Sequence, residues 1–234
     1  MKCMLLSAGL GKRMRPLTNQ VPKPLIRLAG KSLIEHHLAR LKTAGYKEVV
    51  INLSHLGDSI QKKLGDGGSY GIRIQYSHEG EHPLGTAGGI VHALPLLGER
   101  PFLVISSDIW CDHPLSFPDP VHENAHLILV NNPAHHPDGD FAYESGTACT
   151  TGNNFLTFSG IGVFKPELFK TQTGENQLAP VLRSAINQSQ VTADHHTGAW
   201  FDIGTFERLF EAEQYLKNQT KNPTSSGKSP ATSE

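Results

Sequence analysis

The stretch LSAGLGKRMRPLT, residues 6–18, with Pro22-Lys23-Pro24 soon after it, decides how the rest of the chain is interpreted. It continues a short apolar run, residues 3–7, which predicts a buried first strand. The small residues that follow, among them Gly9 and Gly11, allow backbone N–H groups to approach a phosphate chain closely. We therefore expect a strand that ends in a phosphate-binding loop.

Three basic side chains of this stretch supply positive charge. Lys12 and Arg13 are expected where the β- and γ-phosphates of a nucleotide would lie. Lys23, held between two prolines, is expected to direct its ammonium group at the α-phosphate, which gains charge as it is attacked. A third glycine and a Gly-Lys-Ser/Thr triplet are both missing, so the loop is neither a dinucleotide fingerprint nor a Walker motif. On spacing alone, a glycine-rich turn with surface cations stays an alternative.

Strands and helices alternate along most of the chain. Predicted strands are 3–7, 48–53, 72–76, 102–105, 126–130 and 155–164, and predicted helices are 33–41, 56–64, 88–97, 178–188 and 206–216. This order predicts an α/β fold with a single Rossmann-like, doubly wound, mostly parallel sheet over residues 1–217. Ligands of such sheets bind at the carboxyl ends of the strands. Residues 131–154 are expected to form an irregular functional loop, and residues 218–234 a disordered tail.

Composition excludes several classes of function. A formal net charge of −1 gives no electrostatic basis for binding nucleic acid or an anionic membrane. No apolar stretch approaches the roughly 20 residues that span a bilayer, and the N-terminal apolar run is too short for a signal peptide. Three widely spaced cysteines predict free thiols in a reducing cytoplasm. The histidine pairs 135–136 and 195–196 lack zinc-site spacing; the first is expected in a solvated loop, with one histidine facing a ligand pocket, and the second is expected on the surface.

Residues 6–24 resemble the signature of the sugar-1-phosphate nucleotidyltransferase family, Gly-x-Gly-x-Arg-(Met/Leu)-x-Pro-x-Thr followed by Pro-Lys-Pro. The resemblance implies a type A nucleotidyltransferase fold, a nucleoside triphosphate and a sugar-1-phosphate as substrates, and Mg²⁺ as cofactor. It also implies that Arg13 and Lys23 are catalytic. The nucleotide-binding residues that it implies are Leu6, Ala8, Gly9, Gly11, Lys12, Arg13, Gly85, Thr86 and Gly88.

Three later segments fit the same family. Residues 84–89, LGTAGG, resemble its base-recognition loop, in which backbone groups read the edge of the base. Ser106-Ser107-Asp108 and residues 201–205, FDIGT, resemble the two segments that supply metal-binding carboxylates, here Asp108 and Asp202. The two serines depart from the Asn-Gly that many members of the family have before this aspartate.

Within the family, residues 129–141 and 156–161 resemble uridylyltransferases that act on N-acetylmuramic acid α-1-phosphate in cell-wall recycling. This resemblance implies UTP as the nucleotide and Ser107, Asp140, Ser159 and Gly160 as sugar-binding residues. The sugar carries a lactyl carboxylate, and no arginine lies between residues 100 and 183 to bind it.

Two alternatives remain at this point. Mannose-1-phosphate guanylyltransferases share the Leu-Gly-Thr-Ala-Gly loop. A non-catalytic nucleotide-sugar-binding regulatory protein on the same fold is the second, although the presence of Arg13, Lys23, Asp108 and Asp202 favours an enzyme. The sequence does not distinguish a monomer from a small homo-oligomer.

Overall fold

In the part of the chain that the structure describes, residues 1–117, 123–170 and 174–221, a nine-stranded sheet lies between two layers of helices. The strands of the computed structural model are β1 (Lys2–Leu6), β2 (Arg27–Leu28), β3 (Lys31–Ser32), β4 (Glu48–Leu53), β5 (Arg73–His78), β6 (Phe102–Ser106), β7 (Ile109–Cys111), β8 (Ala125–Val130), β9 (Phe141–Glu144), β10 (Thr147–Cys149), β11 (Phe155–Phe164), β12 (Val191–His196) and β13 (Trp200–Asp202). The helices are α1 (Leu33–Thr43), α2 (Gly57–Leu64), α3 (Gly85–Leu97), α4 (Glu167–Lys170), α5 (Leu178–Asn187) and α6 (Phe206–Lys221).

The order of the strands across the sheet is β5-β4-β1-β6-β11-β8-β12-β10-β9. The first four strands run parallel, as do β8 and β12, whereas β11 is antiparallel to both β6 and β8. Parallel pairs need a crossover connection, and in residues 125–164 the chain passes from β8 to β11 without a helix. The predicted α/β, doubly wound fold is confirmed, but the sheet is mixed instead of mostly parallel, because β11, β10 and β9 run antiparallel to their neighbours.

The two faces of the sheet have separate apolar cores. Alternate residues of β1 enter opposite cores: Met4 packs with Ile90 of α3 and Val181 of α5, whereas Leu5 packs with Leu38 of α1 and Ile60 of α2. Strand β6 alternates in the same way and is buried on both faces, as its continuous apolar run predicts. This layering brings the polar ends of β1 and β6 together at one edge of the sheet.

Two segments differ from their predictions. The span 131–154, predicted as irregular, contains the β9–β10 hairpin, whose strands of four and three residues are too short to give a periodic signal. Helix α6 continues through residues 218–221, which were predicted to begin the tail; its partly buried Leu216 packs on an apolar cluster and holds the last turns. The remainder of the predicted tail, 222–234, lies outside the described residues. Within the described residues, no helix is long and apolar enough to cross a membrane.

Candidate active site

Two adjoining cavities open at the carboxyl ends of β1 and β6. The larger has a volume of about 480 Å³ and the smaller about 270 Å³. Leu6, Thr86, Ser106 and Asp108 line both of them, so the cavities meet along this border. Two ligand-sized spaces that share one carboxylate suit two substrates that react with each other.

The cavities bring together most of the residues that the sequence singled out. The smaller cavity is also lined by Ala8, Gly9, Lys23, Gly85 and Ser107. The larger is also lined by Asp140, Ser159, Gly160, Asp202, His135 and His136. Neither cavity, among the described residues, is lined by Gly11, Lys12, Arg13 or Gly88.

The predicted phosphate loop leaves β1 and closes on itself through Thr18. Gly11 adopts φ +60°, and a Cβ there would lie 2.8 Å from Thr18 Cγ2. The Thr18 hydroxyl donates a hydrogen bond of 2.9 Å to the Gly11 carbonyl oxygen. The next turn, Lys12–Met14, buries Met14 completely and leaves Lys12 and Arg13 exposed. The loop is therefore anchored from inside while its cations face outward.

Lys23 and Asp108 form an ion pair on the border of the two cavities. The ammonium nitrogen lies 2.6 Å from Asp108 Oδ2, and the lysine side chain is 10% exposed against 40% for the aspartate. A buried ammonium is costly without a partner, so this pair fixes where Lys23 points. The predicted α-phosphate cation and one predicted metal ligand are thus in direct contact.

Backbone pairing brings Asp202 beside Asp108. Strand β13 pairs with β7, which places Asp202 opposite Ile109, and Ile203 N–H donates a hydrogen bond of 2.7 Å to the Asp108 carbonyl oxygen. The Asp202 side chain is mostly buried and accepts a hydrogen bond at Oδ2 from Arg208. Asp108 and Asp202, which are 94 residues apart in the sequence, therefore both line the larger cavity.

The Asp202 carboxylate has the features of a cation ligand. Its Oδ1 atom is buried without a hydrogen-bond partner among the described residues, although His135 Nε2 lies 3.3 Å away. A buried acceptor without a partner is costly unless another group satisfies it. Carboxylate oxygens are also the protein ligands that Mg²⁺ prefers. Asp108 and Asp202 together fit a divalent cation.

On the other side of the larger cavity, Asp140 stabilises the strand that faces it. Its Oδ2 atom accepts a hydrogen bond of 2.8 Å from Phe158 N–H, and Oδ1 lies 3.2 Å from His136 Nε2. Gly160 forms a bulge in β11 with φ +81°, and a Cβ there would lie 2.8 Å from Ser106 Oγ. The cavity wall is therefore tightly packed at Gly160, and any side chain at this position would narrow the cavity.

Two predicted sugar-binding serines have hydroxyl groups engaged inside the protein. Ser107 lines the smaller cavity instead of the larger one, and its hydroxyl donates to the Leu6 carbonyl oxygen at 2.5 Å. Ser159 is fully buried and its hydroxyl accepts from Ile161 N–H at 3.1 Å. Both side chains hold the backbone that shapes the cavities.

Sequence reasoning missed a buried polar chain beneath the smaller cavity. Asn52 Oδ1 accepts from Ser7 N–H at 2.7 Å, and Asn52 Nδ2 donates to Glu79 Oε1 at 2.6 Å. Glu79 Oε2 in turn accepts from Leu84 N–H at 2.8 Å. The chain joins the end of β1 to the start of α3. Asn52 is the polar residue inside the apolar run EVVINL, and this interruption is the sequence signal that could have indicated its role.

Two other groups were also missed or misplaced. Arg208 lies on α6, where nothing in the helical pattern indicates a ligand site. His196, predicted on the surface, is half-buried and lies 2.7 Å from Asp112 Oδ1. Cys111, Asp112 and His196 have potential metal-ligand atoms that all lie within 4.8 Å of one another, and they are the three-residue group of this kind among the described residues. This group contains neither Asp108 nor Asp202, the predicted metal ligands.

Comparison with known proteins identifies the family. A family model described as nucleotidyl transferase matches residues 2–126. The chain belongs to this family. An N-acetylmuramate alpha-1-phosphate uridylyltransferase of Neisseria meningitidis serogroup B is 50% identical over 224 residues, covering 91% of this chain and 97% of that protein. The same-named protein of Caulobacter vibrioides is 33% identical over 91% of this chain and 96% of its own length. The chain is therefore a sugar-1-phosphate nucleotidyltransferase.

More distant proteins agree with this assignment. The mannose-1-phosphate guanyltransferase beta-B of Xenopus laevis is 33% identical and covers 87% of this chain, but only 61% of that protein is matched. A UDP-glucose pyrophosphorylase solved with UDP-glucose has the same fold at 20% identity, with a TM-score of 0.73 and 93% and 98% of the two chains covered. A Bacillus anthracis protein assigned as a glucose-1-phosphate thymidylyltransferase gives a TM-score of 0.81 at 20% identity, with 97% and 98% covered. The two solved structures show a shared fold, and the relatives of 33–50% identity favour an enzyme over the regulatory alternative.

Proposed function

We propose that this enzyme couples UTP to N-acetylmuramic acid α-1-phosphate, forming UDP-N-acetylmuramic acid and pyrophosphate in cell-wall recycling. The observation that carries the proposal is the 50% identity, over nearly the full length of both chains, to a uridylyltransferase that is named for this substrate. The guanylyltransferase relatives are less similar, at 33% or lower. The three free cysteines suit a reducing compartment, so we place the reaction in the cytoplasm.

In this proposal the smaller cavity receives the nucleotide and the larger one the sugar phosphate. The backbone of Ala8 and Gly9 and the loop at Gly85 border the nucleotide, with Thr86 on the side that both cavities share. Asp140 and Gly160 border the sugar. Binding the two substrates on either side of one border aligns the attacking oxygen with the α-phosphorus, which is the main entropic requirement of the reaction.

The reaction forms one bond and breaks one bond. A phosphate oxygen of the sugar phosphate attacks the α-phosphorus of UTP, and pyrophosphate leaves from the opposite side with the bonding electrons. The attacking oxygen is already an anion, so no general base is required. The obstacle is the repulsion between two phosphate groups. Lys23 reduces it from the lining of the smaller cavity, and Arg13, which lies outside both cavities, adds positive charge from the loop after β1.

Asp108 and Asp202 would hold a divalent cation, which we propose to be Mg²⁺. When bound, the cation neutralises phosphate charge and helps to align the displacement. The chain's own contribution is to orient both carboxylates, through the Lys23 ion pair at Asp108 and through Arg208 at Asp202.

A release assay for pyrophosphate tests the proposal. Purified protein with Mg²⁺ is given each of four nucleoside triphosphates with N-acetylmuramic acid, N-acetylglucosamine and mannose 1-phosphates. We expect the highest kcat/KM for UTP with the N-acetylmuramic acid compound. A higher kcat/KM for GTP with mannose-1-phosphate would refute the substrate assignment, and absence of pyrophosphate in every combination would refute catalysis of this reaction class.

A further inference from the structure

Two arginine side chains meet above Gly204. A Cβ on this glycine would clash with Arg208 Nη2 and would lie 2.9 Å from Arg13 Nη2. Arg13 comes from the phosphate loop and Arg208 from α6, so the two guanidinium groups reach the same point from opposite ends of the sequence. Gly204 leaves room for both of them because it has no side chain.

The supporting elements fix this arrangement. Met14, the neighbour of Arg13, is fully buried in a small apolar cluster with Ile203, the neighbour of Gly204, and with Ala212 of α6. The first turn of α6 is capped by Thr205, whose hydroxyl oxygen accepts from Arg208 N–H at 3.4 Å. The Arg208 side chain is only 13% exposed. The Arg208 guanidinium is therefore held in place before any ligand binds, whereas the exposed Arg13 is positioned through its buried neighbour Met14.

The charges around the pair are unbalanced. Nη1 of Arg208 donates to Asp202 Oδ2 and to His135 Nε2, the latter at 2.8 Å. The Arg13 guanidinium makes no hydrogen bond or ion pair with any described residue. Asp202 is thus in ion-pair contact with Arg208 and not with Arg13, and this carboxylate has a second proposed role as a cation ligand. Like charges placed this closely repel each other, and an anion bound between them would relieve that repulsion.

We propose that Arg13 and Arg208 together bind one phosphate group of the reactants above Gly204. Guanidinium groups bind phosphate through paired N–H donors, and two of them account for the charge of a phosphate dianion. The inference rests on the proposed function, since it places the phosphate in the same active site. Two sources have this chemistry: the terminal phosphates of the nucleotide, which leave as pyrophosphate, and the phosphate of the sugar.

A double-mutant cycle tests the pair. Arg13→Gln, Arg208→Gln and the double variant are compared with wild type in the presence of Mg²⁺. Titration calorimetry gives the Kd of UTP and of pyrophosphate, and kinetics give the KM of the sugar phosphate. Each single variant should weaken one of these ligands roughly ten- to hundredfold, the loss expected for a charge-assisted hydrogen bond. The double variant should be weaker by clearly less than the product of the two single effects, because both side chains bind the same group.

The outcomes are distinct. Weaker UTP and pyrophosphate binding identifies the nucleotide as the source, and a raised sugar-phosphate KM identifies the sugar. Unchanged values for all three ligands, or multiplicative effects in the double variant, would overturn the shared phosphate site. Recovery of Arg208→Gln at high Mg²⁺ would also overturn it, because Arg208 would then act only by orienting Asp202.

Two controls complete the design. Arg73→Gln removes an arginine that pairs with Glu48 on the exposed side of the sheet, and it should leave all three values unchanged. Arg208→Lys keeps the positive charge as a conservative alternative to Arg208→Gln, and thermal melting shows whether each variant is folded. If wild type binds pyrophosphate through both arginines but forms no nucleotide sugar with any substrate pair, the proposed function fails while the phosphate site stands.

Discussion

Replacing Asn52 by alanine should weaken both the fold and the binding of nucleotide. The side chain is 3% exposed and lies in β4, between the phosphate loop and the base loop. Its amide accepts from Ser7 N–H at 2.7 Å and donates to Glu79 at 2.6 Å, and Glu79 holds Leu84 N–H. One side chain therefore connects the ends of three strands with the first turn of α3.

The magnitude follows from the groups left behind. Asn52→Ala leaves a buried backbone N–H and a carboxylate oxygen without partners, and each unsatisfied group costs about 1–3 kcal/mol, with more for a charged one. The smaller cavity adjoins both groups, so water entering the space would offset part of this cost. We expect the free energy of unfolding to fall by about 2–5 kcal/mol, a large share of the roughly 5–15 kcal/mol typical of a domain.

Urea denaturation and the KM for UTP measure the two effects. Asn153→Ala is the matched control, because Asn153 is exposed on the loop before β11, and it should change neither value. Asn52→Asp keeps the acceptor for Ser7 but places a second carboxylate against Glu79, so its loss of stability should be larger at pH 8 than at pH 5. Stability within about 0.5 kcal/mol of wild type, with an unchanged KM, would show that the polar chain does not support either loop.

Three further predictions concern the catalytic groups and one buried histidine. Asp202→Asn should lower kcat by orders of magnitude with little change in melting temperature, and near-normal kcat at saturating Mg²⁺ would contradict a metal-binding role. Lys23→Ala should lower kcat more than it raises the KM for UTP, because its charge matters most as the α-phosphate is attacked; a change confined to KM would exclude that role. Burial lowers the pKa of His37 from 6.5 to about 4, so the unfolded chain binds a proton that the folded chain does not as pH falls through this window. Stability should therefore drop by about 3 kcal/mol between pH 6.5 and 4, and an equally steep urea profile for His37→Gln would refute this cause.

The sequence predicts well what short-range patterns encode. Ser32 and Glu35 have the Ser-x-x-Glu spacing that is typical of a capping box, and Ser32 N–H donates to Glu35 at 2.8 Å. The buried strand predicted at 102–105 ends one residue later, at Ser106. The turn that Gly11 and Thr18 form is encoded locally, because the glycines and Thr18 of the predicted phosphate loop lie within a few positions of one another. The β9–β10 hairpin escaped detection because its strands of four and three residues are at or below the shortest run in which strand alternation is recognised.

Contacts between distant segments were beyond the same reasoning. The contact of Arg208 with His135 joins α6 to the loop after β8, and no spacing rule relates residues this far apart. The loop around His135 contains no arginine of its own, but Arg208 reaches it from α6. Glu79 was missed for the same reason, because its role depends on a hydrogen bond with Asn52 of the neighbouring strand.

Both carboxylates proposed as metal ligands are already neutralised by the chain's own cations, Asp108 by Lys23 and Asp202 by Arg208. A divalent cation bound there would take over this neutralisation, and the two basic groups would then be left with unbalanced positive charge at a mostly buried site. Phosphate is the anion that restores the balance, so metal and nucleotide should each raise the affinity of the other.

The two aspartates should differ in the stability that the protein loses when each is replaced. Without ligands, Asp108→Asn leaves the nearly buried Lys23 ammonium without its partner, which costs about 3–5 kcal/mol for a fully buried pair and less here because Asp108 is partly exposed. The loss of stability in Asp108→Asn should therefore shrink when UTP is added, which differential scanning calorimetry with and without nucleotide measures; an equal loss under both conditions would contradict the exchange of partners.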